Sequence, residues 1–145
     1  MRSLSAGLLL LIVFFCPSSN GQESRTAPVV VIAHAGVPVD ALPRNTVRAM
    51  FAMRQRSWPT GSAVRVFVLP DRDPVHARFV KEQLDVFPHQ LQLSWDRVVF
   101  SGTGQAPGRA DSQIDMLQRV ATTPGAIGYV ERTFVDDRVR VLNLD

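Results

Sequence analysis

Apolar and polar positions alternate along this chain in a way that marks out its elements one by one. Val29-Val30-Val31-Ile32-Ala33 is an uninterrupted, mostly β-branched run of strand length, the pattern of a strand buried on both faces. Pro38 and Pro43 mark a turn, after which Asn45 is placed to cap a helix that carries Val47, Met50 and Phe51 on one face. Trp58-Pro59-Thr60-Gly61 breaks the chain, and Val64 to Leu69 predicts a second strand with valine at every even position. Asp73-Pro74 is a strong helix start, a capping carboxylate followed by proline at the first helical position. Val75, Phe79, Val80, Leu84 and Phe87 form its apolar stripe.

Beyond Pro88 the pattern is ambiguous. Leu91, Leu93 and Trp95 alternate as in a strand, whereas Leu91, Trp95, Val98 and Val99 share a helical face. Helix is the better reading, because it gathers Gln90, Gln92, Asp96 and Arg97 on a wet face. Residues 101–110 are a loop rich in glycine and proline. Ser112-Gln113-Ile114-Asp115 has the form of a capping box, opening a helix with Ile114, Leu117, Val120 and Ala121 on one face. Pro124-Gly125 turns the chain into strands over 126–130 and 139–144. The order β-α-β-α-α-α-β-β predicts an α/β domain, a mixed sheet flanked by helices.

The first residues belong to a different category. Arg2 is followed by the apolar run Leu8 to Phe15, too short to span a bilayer, and then by small and polar residues. This is the pattern of a secretory signal peptide cut after Gly21, leaving 22–27 as a polar N-terminal tail and 28–145 as one domain. The single cysteine, Cys16, falls inside the signal, so disulfides, thiol nucleophiles and cysteine-based zinc sites are not expected in the mature chain. A lipid anchor at Cys16 fits poorly, because Phe14 and Phe15 occupy positions that need small residues. The mature chain has no expected membrane span.

Sixteen basic residues against thirteen acidic ones give a formal charge of +3. The two signs are interleaved, as in Asp71-Arg72-Asp73 and Asp136-Asp137-Arg138, which speaks for a mixed solvated surface and against nucleic acid. His34, His76 and His89 lack the close spacing of metal ligands. There is no Gly-x-Ser-x-Gly elbow. Gly102-Thr103-Gly104 runs into Pro107 where a dinucleotide fingerprint needs glycine. No spacing of carboxylates argues for acid–base catalysis, and nothing predicts an enzyme, a metal or a cofactor. One position has binding physics. The turn Asp71-Arg72-Asp73-Pro74 runs from a strand into a helix, where the amides of Val75 and His76 are placed to hold an anion beside Arg72. The competing reading is that the Asp73 carboxylate caps the helix and occupies those amides itself.

Several segments together resemble a family. Val47-x-x-Met50-Phe51, Trp58-Pro59-x-Gly61, the strand Val64 to Leu69, Phe79, Trp95, Phe100 and finally Thr123-Pro124-Gly125-Ala126-Ile127-Gly128-Tyr129-Val130 follow one another as in the second lobe of the phosphate-binding proteins of ABC importers. The resemblance runs from about Ala27 to Leu142 and implies one lobe of a type 2 periplasmic-binding-protein fold. It implies a non-enzymatic periplasmic module in phosphate or oxyanion transport or sensing, with Asp71, Arg72, Val75 and His76 at the ligand turn. The alternative is a secreted structural or regulatory interaction domain that has lost small-ligand binding. The partners implied are phosphate or another oxyanion, and an ABC permease, porin or sensor protein. Two departures stand out. The chain has the length of one lobe, which leaves the cleft face without its usual cover and predicts a homodimer or a partner there. The family's Arg, Asp and Ser-Gly-Thr phosphate loop is replaced by Asp71-Arg72-Asp73-Pro74-Val75-His76.

Overall fold

The two most apolar strands lie side by side at the centre of one sheet in the computed structural model, which describes residues 26–145. β1 (Val29–His34) pairs antiparallel with β5 (Ala126–Glu131), Ile32 facing Gly128 across the ladder. On its other side β1 pairs antiparallel with β6 (Val139–Leu144), which in turn holds the short parallel strand β2 (Ala41–Leu42). β3 (Arg65–Val68) runs parallel to β5, and the two-residue β4 (Gly108–Arg109) runs parallel to β3 at the edge. The order is β2-β6-β1-β5-β3-β4, a mixed sheet as the pattern predicts. The signal peptide, its cut at Gly21, Cys16 and most of the 22–27 tail lie outside the described residues. Of that tail, Ala27 is held by its carbonyl, which accepts from Arg78 at 2.6 Å.

Helices cover both faces. Gly128 and Tyr129 are neighbours on β5 and so point to opposite sides. On the Gly128 side lies α4 (Gln113–Thr122), whose Met116 and Val120 come so close that a Cβ on Gly128 would stand 2.5 Å from the Met116 sulfur. On the Tyr129 side, α1 (Arg44–Phe51) contributes Phe51 and the continuous helical segment beginning with α2 (Pro74–Arg78) contributes Phe79. α2 widens into a π-helical turn over Phe79–Gln83, and α3 (Pro88–Phe100) follows. Trp95 of α3 donates its indole N–H to the Phe51 carbonyl at 2.7 Å, which docks α3 on the end of α1. Among the described residues no helix is long and apolar enough to cross a membrane.

The open C-terminus of the π-helical turn is closed by arginines from α1. Arg44 donates to the carbonyls of Glu82 and Gln83, and Arg48 to that of Leu84 at 2.7 Å. These are the orphan carbonyls every helix end leaves, satisfied here by charged donors.

Four expectations are corrected. Asn45 does not cap α1; Pro43 holds the cap position in extended backbone, and the Asn45 side chain accepts instead from Arg48. Phe87 is not part of the apolar stripe of its helix. The helix ends before it, Phe87 opens α3, and it is 57% exposed. Ile114 is 70% exposed because α4 is rotated to bury Met116, Leu117 and Val120. The capping box is skewed: Ser112 accepts from the Asp115 amide as expected, but the Asp115 carboxylate reaches one residue further back, to the amide of Asp111. The 91–100 ambiguity resolves to helix, with Leu91 and Trp95 buried and Val99 exposed.

Gly125 is the tightest point of the sheet's loop system. Its φ is +77°, and a Cβ there would stand 2.3 Å from the Ala63 carbonyl oxygen, while its own carbonyl accepts from the Trp58 indole at 3.0 Å. Gly61 also has positive φ, at +90°, but faces open space. Gly125→Ala is therefore expected to lower the unfolding free energy by about 3 kcal/mol, and Gly61→Ala by about 1 kcal/mol, from backbone strain alone. Urea denaturation of the two variants measures the difference.

Candidate functional site

β3 ends because its next amide leaves the ladder. The Leu69 N–H donates to the Tyr129 hydroxyl at 2.9 Å, and Pro70 follows with no amide to give. The chain then makes a tight turn, Asp73 N–H to Pro70 C=O at 2.9 Å, and enters α2. The Asp73 carboxylate accepts from the Val75 amide at 2.9 Å, and the His76 amide donates to the Asp73 carbonyl at 3.0 Å. The capping predicted from Asp73-Pro74 is thus present. Both amides considered for an anion are engaged within the turn.

His76 enters the site through its ring. The residue is 2% exposed, lying between Tyr129 and Trp95. Its Nδ1 meets the Tyr129 hydroxyl at 2.5 Å. That hydroxyl accepts from Leu69, and Nδ1 is the one acceptor among the described residues that its own proton meets, so we assign that proton to Nδ1 and the neutral ring's hydrogen to Nε2. Nε2 makes no hydrogen bond to any described residue. The nearest acidic oxygen is that of exposed Asp71, at 4.0 Å. Burial holds the imidazole below its ordinary pKa, against the pull of Asp71 and Asp73, and Arg109 pushes the same way as burial. Burial likewise pushes the Tyr129 phenol up.

Arg109 reaches this end of the sheet through β4, which sets it beside Val68. Arg72 is exposed on the turn and makes no hydrogen bond or ion pair with a described residue. Of the four residues named from sequence, Asp71 comes within 4.0 Å of the His76 ring, Val75 is buried and serves the packing, and Arg72 is exposed on the turn between them. Sequence reasoning missed Tyr129 and Arg109. Tyr129 stands sixty positions from Leu69 in the chain, and only strand pairing joins them. Arg109 lies in a glycine- and proline-rich stretch with no strand signal. Among the described residues no group of three or more His, Cys, Asp or Glu side chains is disposed to hold a metal.

The architecture can be set beside known structures. A protein described as a phosphate ABC transporter substrate-binding protein from Clostridium perfringens, solved with phosphate bound, superposes with a TM-score of 0.64 at 18% identity, over 82% of this chain and 45% of its own. An ABC-type phosphate transport receptor from Vibrio cholerae gives a TM-score of 0.59 at 14% identity, over 80% of this chain and 45% of that one. PstS from Borrelia burgdorferi gives 0.61 at 8%, over 82% and 47%. The fold is that of one periplasmic-binding-protein lobe. The chain spans less than half the length of these substrate-binding proteins. No family model matches the sequence, and no curated protein matches it by sequence.

The lobe's pH response follows from the His76–Tyr129 pair. A histidine held below its ordinary value of 6.5 in the fold takes up its proton more readily when unfolded. Its contribution to stability is full above that value and is lost as pH falls through the depressed one. Protonating Nδ1 also sets two hydrogens against each other at the Tyr129 oxygen. Tyr129 acts in the opposite sense, its contribution being full below 10 and lost as pH rises beyond. Unfolding free energy measured against pH should fall below pH 6.5 by up to about 1.4 kcal/mol per pH unit from this one group. His76→Gln, which does not titrate, should flatten that limb.

Proposed function

We propose that this protein is a non-enzymatic, periplasmic binding-protein-like module that takes part in phosphate or oxyanion transport or sensing, holding its anion at the turn after β3. The observation that carries the reading is a buried imidazole whose Nε2 has no hydrogen-bond partner among the described residues, on a turn that bears the exposed Arg72 and lies within the field of Arg109. The likeness in fold to phosphate-binding proteins supports the same direction.

The chemistry of the turn favours a particular kind of anion. Two arginines and an N–H donor attract an oxyanion, while Asp71 and Asp73 repel a fully ionised one. Hydrogen phosphate and dihydrogen phosphate carry O–H groups that Asp71 can accept, turning a repulsive neighbour into a partner. Sulfate has no such proton at neutral pH. The balance of charge makes the anion weakly held, so the turn also suits contact with a protein: an ABC permease, a porin, a sensor or a second copy of the chain. The engagement of the Val75 and His76 amides within the turn favours the second reading, an exported interaction domain without small-ligand binding.

Thermal unfolding in millimolar anion separates the two. At a hundred times its dissociation constant a ligand adds about 2.7 kcal/mol. Phosphate is expected to raise the midpoint more than sulfate, and Arg72→Gln or Arg109→Gln to cut the effect several-fold. A midpoint that phosphate, sulfate and molybdate all leave unmoved would establish the interaction domain instead.

Export is tested separately. Mass spectrometry of the protein recovered from a secreting host should find an N-terminus at Gln22. An intact Met1 overturns the periplasmic assignment.

A further inference from the structure

The other end of β3 holds a cleft that the turn chemistry does not use. β4 pairs with β3 over two residues, Phe67 with Gly108 and Val68 with Arg109. Before Gly108 the chain stands off the sheet edge, and between residues 104–107 and 63–66 lies a cleft of about 550 Å³. That is within the range of small-molecule sites, about 300 to 1,000 Å³.

The cleft is held open by specific contacts. The Arg56 guanidinium crosses to the Thr103 carbonyl and lies against Gly104, where a Cβ would stand 2.4 Å from Arg56 Nη2 and 2.7 Å from Val98 Cγ1. The loop thus rests on a strut anchored beside β3, since the Arg56 carbonyl accepts from the Val64 amide at 2.9 Å. At the other end the Phe67 ring covers Gly108 closely, a Cβ there meeting two ring carbons at 2.8 Å. Neither wall can collapse onto the strand without displacing these groups.

Its lining has a definite polarity. Met53, Val64, Phe67, Ala106 and Pro107 supply apolar walls, Arg56 and Arg65 supply two cations, and among the described residues no Asp or Glu lines it. The Arg65 side chain is exposed and makes no hydrogen bond with a described residue. Two guanidiniums beside an apolar trough complement a ligand with one anionic end and a hydrocarbon body.

We propose that this cleft binds a small amphipathic carboxylate, its carboxylate at Arg56 and Arg65 and its apolar body along Val64 to Phe67. The site is independent of the anion turn, which lies past the opposite end of β3.

Amide-resolved NMR titration with decanoate, kept monomeric, tests it, with decanamide and inorganic phosphate as comparators. Decanoate should give saturable shifts at residues 64–67 and 104–108 and leave His76 unmoved, decanamide should bind about tenfold more weakly, and phosphate should not move these amides. Arg65→Ala should weaken decanoate about tenfold, and Ala106→Trp, which fills the cleft from an exposed position, should abolish it. Unchanged Trp58 and Tyr129 signals establish that each variant is folded. Equal affinity for decanoate and decanamide, shifts centred elsewhere, or an Arg65→Ala variant that binds as well as the parent would overturn the proposal. So would concentration-dependent shifts of the cleft amides without ligand, which would make the occupant a second copy of the chain.

Discussion

A single hydroxyl sets where the central part of this sheet stops. Tyr129 takes the Leu69 amide out of the β3 ladder and meets the His76 Nδ1, so the end of a strand, the start of a helix and a buried imidazole share one point. Its ring is fixed by stacking on Phe79 at 3.8 Å between centroids, and Phe79 is fixed in turn by edge contact with Phe51 at 4.8 Å. A buried hydroxyl in such a core is costly unless satisfied, and here the amide and the ring nitrogen satisfy it fully. The direction of His76 Nε2, and with it the character of the turn surface, follows from that arrangement.

β3 consequently has two differently equipped ends. Past its C-terminus, Asp71, Asp73 and Arg109 gather around the imidazole edge in a polar group that carries both signs of charge. At its N-terminus the loop before β4 stands away from the strand, and apolar walls meet two arginines. The same two-residue pairing of β4 produces both, by delivering Arg109 to one end and leaving the other uncovered. A longer β4 would close the cleft and seal the edge.

The fold was largely legible because its determinants are local. β1 read as a strand buried on both faces from its unbroken apolar run, the Pro124-Gly125 turn marked the start of β5, Asp73-Pro74 announced α2, and Ser112 announced α4. The failures are also physical. Phe87 and Ile114 fit an apolar stripe in projection, but helix rotation is decided by what packs beneath, and Met116 against Gly128 takes the position Ile114 was assigned. β2 and β4 are two-residue strands whose existence depends on neighbours far along the chain, so no periodicity marks them. At the turn, four residues could be named in advance, yet the two amides named there are engaged within the turn, and the group left without a partner among the described residues is the Nε2 of the His76 ring. That exchange could be seen only once Tyr129, on a strand sixty residues away, was placed beside it.

The claim on which the anion turn depends is that His76 is neutral, accepts at Nδ1 from Tyr129 and offers Nε2–H outward. Long-range nitrogen–proton correlation of the histidine rings at pH 7.5 reads this directly. His76 is expected as an Nε2–H tautomer whose Nε2 resonance moves on addition of phosphate. An Nδ1–H tautomer, a charged ring, or an Nε2 resonance indifferent to phosphate would contradict it.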